Sequence, residues 1–286
     1  MEPLMIAKLL LFAGALLAFE ASAQEVVKWH GGRMAITSDG NAHDPDDIGG
    51  TPMSLALMHA AGLGDRLVHV DYADHFVHTG HHGAASKPEM LTDITFSAEE
   101  ATHRFGVPTN RVFNCQTQIE AATANFVREA LRSTADAPLW FICAGPMTTA
   151  HRYLAAVKTA DATKLRFIHC VSHSAANGRH DPQHTWDGLK QKFPEAVFHL
   201  LKNQNVAGGE RGLCSALEHW DWLKNAANAD LRWLHTRNRT AHSNAGKFDV
   251  SDAGMVYWVL TGAGNERADV DDFRALLEPS HGRNRQ

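Results

Sequence analysis

The chain has 286 residues, 44% of them hydrophobic and 21% charged, a globular composition that excludes a disordered or fibrous protein. With 27 Lys and Arg against 32 Asp and Glu, the net charge is −5, so there is no basic stripe for nucleic-acid phosphates or for an anionic membrane surface. The 19 His residues supply groups for near-neutral acid–base chemistry or metal ligation.

The first predicted element is a targeting segment. Lys8 precedes an apolar run of eleven residues, Leu9 to Phe19, and Ala21-Ser22-Ala23 forms a small-x-small cleavage pattern. The run is too short to span a bilayer. A signal peptide over 1–23 and a mature α/β domain over 24–286 are expected, with a secreted or periplasmic destination and no stable membrane insertion.

Next come short runs rich in β-formers, alternating with segments of helical period. The expected strands are Arg33–Ser38, Arg66–Asp71, Arg111–Cys115, Leu139–Ala144, Leu165–Ser172 and Glu195–Lys202. Between them lie expected helices at Thr51–Ala61, Ser97–Phe105, Gln116–Arg132 and Met147–Lys158, with Thr51-Pro52 as N-cap and first helical residue. Beyond residue 209 the expected helices are Leu213–Asn225 and Asp252–Thr261. Near-continuous hydrophobicity in the strands predicts an α/β fold, a mostly parallel open sheet flanked by helices in a single domain. The four cysteines, Cys115, Cys143, Cys170 and Cys214, have no zinc-type spacing, and Cys143 and Cys170 read as buried free thiols.

In such a sheet, ligands bind where strands end and helices begin. After the first strand, Asp39 to Asp47 packs four carboxylates, Asn41 and His43 into nine residues. The spacing is not that of an EF-hand. It reads either as a hard-cation site suited to Ca2+ or Mg2+, or as a solvated acidic loop capping a helix dipole.

This cluster resembles the aspartate cluster of the Ca2+-dependent nucleoside hydrolases. Ile142-Cys143-Ala144-Gly145-Pro146-Met147-Thr148-Thr149 resembles that family's strand–turn, and Phe248-Asp249-Val250-Ser251-Asp252-Ala253 resembles its late acidic segment. The resemblance implies one Ca2+ held by Asp39, Asp47, Asp252 and the carbonyl of Ala144, with Asp39 as the base for a bound water. It also implies sugar contacts from Asp46 and Asp74, with Asn177 after the fifth strand as a further contact. Asp39 lies seven residues before Asp46, a longer spacing than the family's, so Asn41 and His43 stand beside Asp39 as candidates for the first ligand, and Asn41 also for a sugar contact. Ser251 occupies the place of the histidine that assists the leaving group.

The other histidines have two readings each. His75, His78, His81 and His82 form a lid that supplies an acid, or an exposed polar loop. His173 is a candidate acid for the leaving group, while His180 and His184 read as structural, with Trp186 nearby as a sugar platform. Trp220, Trp222 and Trp233 read as packing residues, and Asn238-Arg239-Thr240 matches a glycosylation sequon. The expectation is an exported Ca2+-dependent hydrolase of nucleosides or small glycosides, or else a metal-dependent carbohydrate-binding protein without turnover. Its partner is a small sugar or nucleoside, and a homo-oligomer is left open.

Overall fold

The hydrophobic runs form one sheet. A computed structural model describes residues 26–75, 87–173, 175–205, 211–241, 246–262 and 267–278. The expected signal peptide, His78, His81 and His82 lie outside the described residues. Six strands, β1 (Arg33–Ser38), β2 (Leu67–Tyr72), β3 (Val112–Asn114), β4 (Leu139–Ala144), β5 (Ile168–Ser172) and β6 (Val197–Leu200), pair in parallel in the order β3-β2-β1-β4-β5-β6. The chain runs outward from β1 to β3, then returns to place β4 on the other side of β1. That reversal makes a switch point beyond the carboxyl ends of β1 and β4, the place where open parallel sheets bind ligands.

Helices cover both faces: α1 (Pro45–Ala60), α2 (Lys87–Arg104), α3 (Cys115–Leu131), α4 (Met147–Asp161), α5 (Asn177–His180) and α6 (Trp186–Lys192), followed by α7 (Asp221–Lys224), α8 (Ala229–Asn238), α9 (Ala253–Thr261) and α10 (Val270–Leu277). Alternate strand residues feed opposite cores, as a period of two requires. Met34, Ile36 and Ile142 join Met53, Leu57 and Val256, whereas Ala35, Phe141 and Cys170 join Phe126, Tyr153 and Leu189. Among the described residues no helix is long and apolar enough to cross a membrane.

The helix expected over Ser97–Phe105 starts ten residues earlier, at Lys87, and two other expected elements need a larger correction. The helix expected at Thr51 begins at Pro45, with Asp44 as its N-cap accepting from the Asp46 amide, and Pro52 lies inside it. Proline removes the N–H that the Ile48 carbonyl would receive. The hydroxyl of Ser97, on α2, donates to that carbonyl instead. The helix expected over Leu213–Asn225 is broken up. Its first part forms β7 (Cys214–Ala216), antiparallel to β8 (Lys247–Asp249), and a tight turn at Leu217–Trp220 leads into α7. Trp220 anchors that turn, fully buried, 4.4 Å from the Phe248 ring and donating to the Ser215 hydroxyl.

All four cysteines are free thiols, with Cys115, Cys143 and Cys170 buried. Trp186 is buried edge-on against Phe198, so it packs the core and offers no sugar platform. Asn238 of the sequon is 1% exposed, and its amide donates to the carbonyls of Pro45 and Asp249. It is a structural tie in the folded chain.

Candidate metal and sugar site

Strand register brings the site's loops together. Ser38 and Ala144, the last residues of β1 and β4, lie side by side, so Asp39 and Gly145 open neighbouring loops. A Cβ on Gly145 would stand 2.9 Å from both the Asp39 amide nitrogen and Asp74 Oδ1, so only glycine permits this approach. Ala73, just before Asp74, has a φ of 61°, a left-handed backbone that alanine adopts only under strain. Backbone bonds from Ala73 to Asp39 and from Asp74 to Ser38 hold the β2 end in place, and Gln116 Nε2 donates to the Ala73 carbonyl.

The acidic loop folds around the start of α1. The Asn41 amide donates to Asp47 Oδ2 at 2.9 Å, and the Asn41 side-chain oxygen accepts from the His43 amide at 3.2 Å. Asn41 therefore braces Asp47, and its side-chain oxygen is engaged within the loop. Asp46 and Asp47 occupy the first helical turn, where the dipole favours negative charge. Asp39 Oδ1 is closed off from solvent and meets no hydrogen-bond donor. Burial pushes Asp39 up to about 8, against an opposing bond with the Asp47 carboxyl, and the Asp252 and Asp44 charges push the same way. Asp47 is pushed upward by burial and by the Asp39 charge.

The far end of the chain closes the cluster. Asp252, directly before α9, donates its amide to Asp46 Oδ1 at 2.9 Å across 206 positions, and the Ser251 hydroxyl lies 2.7 Å from Asp46 Oδ2. Both Asp46 oxygens are thus engaged, and Asp46 latches α1 to α9. Burial pushes Asp46 upward, aided by the charges of Asp252 and Asp249. Burial also pushes Asp249 up to about 6, and its Oδ1 accepts from the Ser251 amide. His173, 3% exposed at the end of β5, puts its Nε2 2.8 Å from Asp252 Oδ1.

Asp74 and Asp71 make a contrast at the end of β2. Asp71 is fully buried and receives four donors: Thr37 Oγ1, Cys115 Sγ, His69 Nε2 and Tyr153 OH. Both oxygens of Asp74 are equally closed to solvent and meet no donor. Burial, then the charges of Asp39 and Asp71, push Asp74 upward. At the mouth, the His75 ring stands 4.2 Å from His180. Asn177 is half-buried at the first position of α5, four residues past His173.

These residues fit a hard divalent cation. Asp39 stands against the Asp47 carboxyl and within the field of Asp252, while among the described residues the ligand atoms that come within 4.8 Å of one another belong to Asp46, His173 and Asp252. Among the described residues, no lysine or arginine pairs with Asp39, Asp46, Asp47, Asp74 or Asp252. Buried carboxylates without a counter-charge are costly, and oxygen donors suit Ca2+ or Mg2+. Sequence reasoning missed the strained Ala73 and the latching role of Asp46, because each depends on contacts between distant loops. Only the small residue at Gly145, between strand and helix, carried a readable signal.

No family model and no solved structure matches the chain. A protein of Formosa agariphila bearing the name Uncharacterized protein P22 is 31% identical over 268 residues, which covers 90% of this chain and 95% of the relative. The acidic crevice therefore sits in a chain that belongs to the same family as the Formosa agariphila protein P22.

Proposed function

We propose that this chain is an exported Ca2+-dependent hydrolase of the nucleoside hydrolase kind, cleaving a bond at the anomeric carbon of a nucleoside or small glycoside. One observation carries the reading: buried Asp46 and Asp252 are bound together near the sheet's switch point, Asp39 with its unpartnered Oδ1 lies against Asp47 and within the field of Asp252, and among the described residues no lysine or arginine compensates them. Asp39, Asp47, Asp252 and the Ala144 carbonyl would hold the ion. A bound cation of this class supplies a water of lowered pKa and a grip on sugar hydroxyls.

The chain's own residues do the rest. Asp39, with an unpartnered Oδ1, takes the water's proton as general base. Asp74, with two unpartnered oxygens facing Gly145, accepts from a sugar hydroxyl. Asp46 holds the Ser251–Asp252 segment in place.

A second reading, a carbohydrate-binding protein without turnover, is favoured by the lack of an acid at position 251. The Ser251 hydroxyl donates within the Asp46–Asp249 pair, and an alcohol does not protonate a leaving group near neutral pH. The test is release of reducing sugar from a panel of nucleosides and glycosides by the Ca2+-loaded chain, with sugar binding followed by calorimetry. Turnover that Asp39→Asn abolishes while binding persists supports the hydrolase. Binding without release supports the second reading, and failure to bind Ca2+ removes both.

A further inference from the structure

Asp46, His173 and Asp252 each bring a potential ligand atom within 4.8 Å of the others, so on proximity alone the imidazole belongs in a metal's shell. The second ring nitrogen argues otherwise. His173 Nδ1 lies 3.1 Å from the backbone nitrogen of Gln204. A peptide N–H can only donate, so Nδ1 must present its lone pair, and the proton of the neutral ring sits on Nε2. A protonated nitrogen has no lone pair for a cation. That proton points at Asp252 Oδ1, 2.8 Å away.

Gln204 is held too firmly to release this choice. Its Nε2 donates to the Lys202 carbonyl at 2.7 Å, its Oε1 accepts from the Ala268 amide at 3.1 Å, and it is 3% exposed. Gly254, in the first turn of α9, makes room for it: a Cβ there would stand 2.6 Å from Gln204 Oε1. Asp252 and Gly254 flank the same helix start. A closed ring of contacts therefore runs from Asp252 through His173 and Gln204 back to Gly254, joining the ends of β5, β6 and the start of α9.

Resting on the cation reading above, we propose that His173 is a positioning residue that donates its Nε2 proton to Asp252, so that the ion is held by oxygen atoms alone. With Oδ1 tied to the imidazole, Asp252 offers Oδ2 to the ion in a fixed orientation. Such outer-sphere partners orient carboxylate ligands. An all-oxygen shell favours Ca2+, Mg2+ and Mn2+ and gives no advantage to Zn2+, which takes imidazole readily.

Mn2+ is the probe, bound to the full chain and examined by pulsed electron paramagnetic resonance. The expected result is stoichiometric Mn2+ without the coupling of a directly bonded imidazole nitrogen. His173→Leu, which removes the donor, should weaken Mn2+ binding about 10- to 100-fold, whereas His173→Gln, which keeps an N–H at similar reach, should restore most of it. Direct nitrogen coupling overturns the inference and leaves the cation reading intact, and so does a Gln variant as impaired as the Leu variant. Failure of the unmutated chain to take up Mn2+ overturns both. The spectrum of the unmutated chain decides the question even if a variant does not fold.

Discussion

The hydroxyl of Ser97 donates to the carbonyl of Ile48, the group that Pro52 leaves without a helical partner. Arg237 Nε in turn donates to Ser97 Oγ at 3.2 Å, so α2 and α8 together repair the break in α1. The repair allows α1 to start at Pro45 and carry Asp46 and Asp47 into the crevice.

Ser97→Ala should therefore destabilise the chain by about 1–3 kcal/mol, the cost of a buried carbonyl left unsatisfied. Urea unfolding at neutral pH measures this. A change within a few tenths of a kcal/mol, as for a surface site, would mean that the proline's gap is filled some other way.

Ala73 tests the strained entry to Asp74. Ala73→Gly should leave stability within about 1 kcal/mol of the unmutated chain, because relief of the positive φ offsets the lost methyl group and the looser unfolded chain. Ala73→Val should cost more than about 2 kcal/mol, since a β-branched residue resists this conformation. Equal thermal midpoints for the Gly and Val variants would contradict the geometry.

Calcium should stabilise the chain more at pH 8 than at pH 5. Without a cation, Asp39 keeps a proton up to about 8 in the folded state, whereas an unfolded Asp releases it near 3.9. The folded form thus binds more protons across that range, and its stability falls as pH rises from 4 through 8. A cation must displace the proton, so its effect grows over the same interval. Thermal midpoints with and without saturating Ca2+ at the two pH values provide the check, and a shift independent of pH would count against Asp39 as a ligand.

His169 and His199 form a second pH-sensitive pair, away from the crevice. His169 Nδ1 lies 3.1 Å from His199 Nε2, against the Trp140 ring. Burial, then the His199 charge, pushes His169 down to about 4. An unfolded histidine takes up its proton near 6.5, so this stabilisation is present above 6.5 and is lost as pH falls towards 4. His169→Gln should cost stability at pH 7 and lose most of that difference by pH 4.5, read from urea midpoints. Because both rings are only partly buried, solvent screening keeps the effect small.

The central strands were legible because both their faces are buried. The observed bounds of β1 and β4, Arg33–Ser38 and Leu139–Ala144, are those expected from the apolar runs, and β2 and β3 differ by a residue at each end. Parallel strands inside an α/β layer carry their signal locally, as uninterrupted hydrophobicity. The start of α1 was not legible. Asp44-Pro45 and Thr51-Pro52 carry the same cap-and-proline signature, and the choice between them depends on a serine from another helix. Likewise, β7 and β8 have three residues each, and their pairing across some thirty positions leaves no local pattern.

For the site, residue order alone showed which groups are present: a run of carboxylates after the first strand, a small residue after the fourth and an acidic segment near the end. These lie in local order, at strand ends where side chains are free to face a ligand. What each group contacts came from folding. Asp46 became a latch, Asp74 was left without a donor, Asn238 became a buried tie and His173 received its proton on Nε2. Those outcomes depend on which distant backbone amide or carbonyl comes within hydrogen-bonding distance, and that proximity is created by folding.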